Sequence, residues 1–240
     1  MARKFKSGVC VHCCTYSEEL TSDHVFPDSW YPNTSIDYQD KWQVPSCAKC
    51  NRELGRIEKD LMIRIGLCLD RNDPACKGIV EKALRSLDPN CGKNEKDARA
   101  RKAKRNHILG QSMEATEIPQ RSIYPNFGFY PDHPFNGQVG ITIPASSVRK
   151  VGEKIIRGIF FIDENKVIDE NYKIETFITI DSGAQPLMDA VSRFGVVYEK
   201  HPGILIKKAT VEECLSSLFY IEIWKRFIIY GSITALETKI

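Results

Sequence analysis

Val44-Pro45-Ser46-Cys47-Ala48-Lys49-Cys50-Asn51 is the stretch on which the fold turns. It holds one of two Cys-x-x-Cys pairs; the other is Cys10-x-x-Cys13, with 33 residues between them. Each pair has the short separation that brings two thiolates to one ion, and four thiolates complete the tetrahedron that zinc prefers, leaving no open coordination position. The spacing predicts a structural Zn2+ on Cys10, Cys13, Cys47 and Cys50, whose binding energy holds together a segment short of core residues. Cys14 adjoins Cys13, and the x-x spacing selects Cys13. The chain has nine cysteines, which read as metal ligands plus packed thiols in a reducing, cytoplasmic setting rather than as a disulfide framework.

Downstream of Asn51, Leu54, Ile57, Leu61 and Ile65 recur at helical spacing, so a helix opens at the second cysteine pair with Asn51 at its start. Arg52, Arg56 and Lys59 then fall toward its edge or solvent. Upstream, the interval between the pairs is longer than the 15 to 20 residues of a simple zinc ribbon, and it contains Asp23-His24-Val25-Phe26-Pro27. Neighbours on a regular strand point to opposite faces, so Asp23 and His24 share a site only through a bend or bulge. Pro27 is consistent with such an interruption.

In this order the motifs resemble the HNH, or ββα-metal, endonucleases, especially the four-cysteine zinc-bearing branch, over about residues 8 to 66. The resemblance implies metal-dependent hydrolysis of phosphodiester bonds in DNA, with RNA not excluded. It also implies that His24 is the general base and that Asp23 and Asn51 hold one catalytic Mg2+ or Mn2+. The chemistry suits those residue types. An imidazole with a pKa near ~6.5 accepts the proton of an attacking water near neutral pH. One carboxylate and one amide oxygen suit a hard cation that keeps its other positions for water and substrate. The middle Asn of the family pattern is expected about five residues before Cys47, where Trp42 and Gln43 stand. A backbone carbonyl near Trp42 would then orient His24, with Asn33 and Gln43 as the other candidates. The alternative reading is a non-catalytic, zinc-stabilised nucleic-acid-binding or protein-interaction module.

The rest of the chain sets the context. With 240 residues, 42% apolar and 27% charged, it has the composition of a globular protein. Its longest apolar runs, near Gly158 to Ile162 and Phe227 to Gly231, fall far short of the roughly 20 residues that cross a bilayer, so no membrane partner is expected. The net charge of +3 is concentrated in residues 67–118, which carry 11 Lys/Arg against 8 Asp/Glu. There Lys93, Lys96, Arg99, Arg101, Lys102, Lys104 and Arg105 face only Glu95 and Asp97, a stretch able to lie along a phosphate backbone. The candidate phosphate contacts are Arg52, Arg56, Lys102, Lys104 and Arg105.

Periodicity predicts helices over Lys77 to Leu87 and Lys93 to Met113. The segment Pro119 to Pro134, with Tyr124, Phe127, Phe129 and Tyr130 among its prolines, reads as a crossing between domains. Beyond it, Val148, Val151, Ile155 and Ile159 suggest a helix ending near Gly158, followed by a strand at Ile159 to Ile162. Tyr172 to Asp181 alternates as a strand, Leu187 to Phe194 reads as a helix, and Val196 to Tyr198, Gly203 to Ile206, Leu218 to Trp224 and Phe227 to Ile233 give an antiparallel sheet. The expected fold is therefore α+β: a zinc-stapled ββα-metal module in residues 1–66, a basic helical linker in 67–118, and an α+β domain with an antiparallel sheet in 119–240. That last domain would position nucleic acid or a partner, or make a homodimer.

Overall fold

The alternating and helical stripes of the sequence become eleven strands and five α-helices in a computed structural model, which describes residues 5–35, 41–118, 138–177, 185–201, 203–211 and 216–236. Strands β1 (Gly8–Val9) and β2 (Tyr16–Ser17) pair around the first cysteines. Strand β3 (Leu20–His24) runs antiparallel to β4 (Gln43–Cys47), which leads directly into α1 (Ala48–Gly66). Helices α2 (Ile79–Leu87) and α3 (Glu95–Leu109) follow, then β5 (Ser112–Glu114), which pairs with β6 (Val139–Ile141). After α4 (Ala145–Glu164) come β7 (Tyr172–Phe177), α5 (Gln185–Phe194), β8 (Val196–His201), β9 (Ile204–Val211), β10 (Ser216–Ile223) and β11 (Phe227–Ala235). The last five strands form one antiparallel sheet in the order β7-β11-β10-β9-β8. The architecture is α+β with an antiparallel sheet. The crossing segment with Tyr124, Phe127, Phe129 and Tyr130, and the residues Ile178, Ile180 and Asp181, lie outside the described residues.

Helix α4 explains how these parts hold together. Its buried residues, including Val148, Val151, Gly152, Lys154, Ile155, Ile156, Gly158, Ile159 and Phe160, surround much of its circumference, the pattern of a central helix. The expected stop at Gly158 and strand at Ile159 to Ile162 do not occur, because Gly158 serves close packing instead of termination. A Cβ there would lie 2.7 Å from a methyl of Val25, just beyond β3, and one at Gly152 would lie 2.9 Å from a methyl of Ile229 on β11. The helix ends instead at Asn165, whose left-handed φ of 52° suits a C-terminal cap.

One contiguous core follows from that placement. Val11, Val25, Leu61, Ile79, Ile159, Ile221 and Ile229 belong to a single cluster, so all three sequence segments bury apolar surface against one another. The hairpin between β10 and β11 adds an anchor: Trp224 stacks 5.3 Å from Trp30, and its Nε1–H donates to the Trp30 carbonyl at 2.9 Å. Helix α3 is attached differently. Ile108 is its only buried residue, and polar contacts do the rest. Lys104 Nζ donates to Asp60 Oδ1 at 2.6 Å, and Asp60 also accepts from Arg64 Nε at 2.9 Å. Lys104 is thus a clamp onto α1 rather than a free phosphate contact, whereas Lys102 and Arg105 are exposed.

At the junction of β3, α1 and α4 sits a buried ion network. Lys154, with a side chain 0% exposed, donates to Asp23 Oδ1 at 3.0 Å and to Glu58. Asp23 Oδ2 bonds His12 Nε2 at 2.9 Å. Burial pushes the Asp23 carboxyl up, but the His12 hydrogen bond and the Lys154 charge outweigh it and hold the group below its ordinary value. Burial dominates at Glu58 and holds that carboxyl above its ordinary value despite the lysine. Removing one partner of such a buried set leaves uncompensated charge, a loss of about 3–5 kcal/mol. Lys154→Met is expected to lower the urea midpoint by that much stability, and a midpoint equal to the wild type would refute the role of this junction.

Candidate functional site

The metal centre is assembled from two turns. Cys10 N–H donates to Thr15 O at 3.0 Å and Cys14 N–H to Cys10 O at 2.9 Å, curling residues 10–15 into a knuckle with Cys14 at a left-handed φ of 58°. Val11 N–H fastens that knuckle to Pro45 O of β4 at 3.0 Å. Cys47 closes β4 and caps α1, with its Sγ accepting from Cys50 N–H at 3.4 Å. The Sγ atoms of Cys10, Cys13, Cys47 and Cys50 consequently lie within 4.8 Å of one another. A tetrahedral site with Zn–S bonds of about 2.3 Å has S···S edges of about 3.8 Å, so the thiol set fits zinc and leaves no coordination position for substrate. Among the described residues it is the only group of three or more Cys, His, Asp or Glu gathered in this way.

The cluster takes Cys13 and leaves its neighbour aside, since Cys14 Sγ donates to the carbonyl of Ile168 at 2.9 Å. Burial raises the Cys13 thiol, yet hydrogen bonds from Thr15, Cys10 and Cys50 bring it down to about 7. Cys50 moves up through burial and its Cys47 contact. Cys68 and Cys76 are pushed up to about 11, chiefly by burial, and read as packed thiols.

Strand β3 pairs with β4 in unbroken register from Leu20↔Cys47 to His24↔Gln43. No bulge intervenes, so Asp23 and His24 face opposite sides of the hairpin. This corrects the expectation of a shared carboxylate–imidazole site. Asp23, 7% exposed, points into the α1–α4 junction, where each of its oxygens has a partner. Asn51 lies in the first turn of α1, its amide donating to Thr21 Oγ1 at 2.9 Å and Ser22 O at 3.2 Å. With Asp23 engaged by Lys154 and His12, the Asp23–Asn51 pair does not fit a divalent cation in this arrangement.

His24 stands on the other face, half-buried. Its Nε2 lies 3.0 Å from Gln43 Nε2, and Gln43 Oε1 bonds Ser22 Oγ. The Trp42 carbonyl, expected to orient the ring, instead accepts Val25 N–H at 2.9 Å, and Asn33 packs against the turn at Gly78. Gln43 is therefore the residue that seats the imidazole. Amide orientation and tautomer are set together in such a chain, because the Ser22 hydroxyl can donate or accept. Burial holds the His24 pKa below its ordinary value of 6.5, against the opposing charges of Asp28 and Asp23. Asp28, paired with Lys41 at 2.5 Å, is the carboxylate that acts most strongly on this ring. Sequence spacing pointed to neither Asp28 nor Lys154; the lysine is 131 residues from Asp23 and carries no local motif.

Comparison with protein-family models, curated proteins and solved structures found no match. The metal centre has a direct check: the purified chain is expected to carry about one zinc, lost in Cys47→Ser and Cys50→Ser. Metal analysis giving no zinc in the wild type would remove the centre.

Proposed function

We propose that this chain is an HNH-type endonuclease that hydrolyses phosphodiester bonds in DNA. The observation that carries the reading is the hairpin β3–β4 running into α1 around a four-cysteine cluster, with His24 seated by Gln43 at the other end of the two strands. Zinc in that site is scaffold, since four thiolates fill its coordination sphere. His24 performs the chemistry open to an unprotonated imidazole: it accepts the proton of a water attacking phosphorus. For that role the Gln43 amide is rotated from the orientation seen, so that its oxygen accepts a hydrogen bond from Nε2–H and its nitrogen donates to Ser22 Oγ, which leaves Nδ1 as the proton acceptor. Arg52 and Arg56, exposed on the first turns of α1, supply positive charge next to Asn51.

A second reading draws on one specific observation. Because both Asp23 oxygens are bound, the module also fits a zinc-stapled nucleic-acid-binding unit without catalysis. Incubation of the purified protein with supercoiled plasmid and Mg2+ or Mn2+ separates the two. The endonuclease nicks the plasmid, and His24→Ala loses about 100-fold or more of the rate; equal nicking by both proteins rejects His24 as the base. Wild-type inactivity with either metal, combined with retained DNA binding, selects the second reading.

The pH dependence has a definite sign. The base works when neutral, and burial lowers its pKa, so the nicking rate is level through pH 7 and falls only as pH drops below 6.5. A rate that still rises between pH 7 and 8 would assign the proton transfer to another group.

A further inference from the structure

Helices α1, α2 and α3 border an open cleft of about 530 Å³ lined by Lys59, Lys82, Arg85, Lys93 and Arg101 together with Gly55 and Met62. Among the described residues Glu58 is the one carboxylate in its lining, and that group is already held by Lys154. Two of the cations are fixed in place by backbone. Lys82 Nζ donates to Tyr31 O at 2.9 Å and Ser29 O at 3.4 Å, and Arg101 reaches the carbonyl of Arg85 while its Nε holds Asp97 at 3.1 Å. Lys59, Arg85 and Lys93 are exposed and have no ion-pair partner among the described residues, although Asp97 lies within electrostatic reach of Lys59. Clustering like charges in one cavity costs free energy in the absence of an anion.

We infer that this cleft is a binding site for a ligand carrying two or more phosphate groups. Among the described residues no aromatic side chain lines it, and the lining offers charge and hydrogen bonding instead of a stacking surface. Its volume lies within the usual range of small-ligand sites, large enough for a pyrophosphate or for consecutive phosphates of a strand. The position is informative too. Lys59 is eight residues beyond Asn51 on α1, about 12 Å along the helix axis, with exposed Arg52 and Arg56 between them. Ser29 on its rim follows Asp28, the carboxylate whose charge acts on both His24 and Lys82. Of its cations, Lys93 and Arg101 belong to the basic run of the sequence, whereas Lys59, Lys82 and Arg85 come from α1 and α2 and lie outside it.

The inference concerns binding and does not require hydrolysis. The test titrates the full zinc-loaded chain with pyrophosphate by calorimetry and with a fluorescent single-stranded oligonucleotide by anisotropy across a salt series. The comparison variant is Lys59→Gln/Lys93→Gln, two exposed positions whose replacement leaves the core intact; unchanged circular dichroism and zinc content verify its fold. Pyrophosphate binding weakened about tenfold in the variant supports the site with a free polyphosphate as its ligand. Oligonucleotide binding whose salt slope falls by about 1.4 in the variant, with no pyrophosphate bound, supports it with a strand backbone as the source. If the wild type binds neither probe, or the variant binds both as the wild type does, the cleft is not a phosphate site. His24→Ala is expected to bind as the wild type does, so an inactive nuclease and an empty cleft are separate results.

Discussion

A lysine ammonium with no access to water, held between Asp23 of β3 and Glu58 of α1, is the constraint around which this molecule is arranged. An unpaired charge in that position would be untenable, so the hairpin, the first helix and α4 must meet there for the chain to fold. The glycines of α4 make the meeting possible, because Gly158 lets the helix approach Val25 closely enough for Lys154 to reach the carboxylates. The ion network is consequently a registration device. It fixes how the C-terminal half sits on the cysteine-bearing hairpin, and apolar contacts such as Trp30 on Trp224 then fill the remaining space.

That same network divides the hairpin into two faces with different chemistry. On the inner face Asp23 is neutralised and structural. On the outer face His24 keeps a lowered pKa and a single seating partner, Gln43, and looks toward the charged turn at Asp28 and Lys41. The four-cysteine cluster lies at the opposite end of the same two strands, so the imidazole is carried on a short support held at both ends. Rigid support of this kind is what a proton-transferring group needs, and it is equally what a docking surface needs.

Much was readable from local pattern. The cysteine spacing identified the ligand set, including Cys13 over Cys14, and the stripe from Leu54 to Ile65 marked α1. The alternating residues of the last hundred positions gave the antiparallel sheet. Failures occurred where a residue's partner is distant in sequence. Gly158 looked like a helix stop because its use, contact with Val25, is invisible to a window of neighbours. Lys104 looked like an unpaired phosphate contact because its carboxylate, Asp60, sits on another helix.

The sequence by itself determined the four gathered cysteines, the apolar stripe of α1 and the alternation of the C-terminal sheet, since each is written in spacing over a few residues. Only the tertiary structure decided that Asp23 turns inward to a lysine 131 positions away, that Gln43 rather than the Trp42 carbonyl holds His24, and that cations of three helices share one cleft. The physical reason is range. Propensity and ligand spacing act through adjacent bonds, whereas the desolvation of a charge and the pairing that offsets it are settled by whichever elements the packed core brings within a few ångströms.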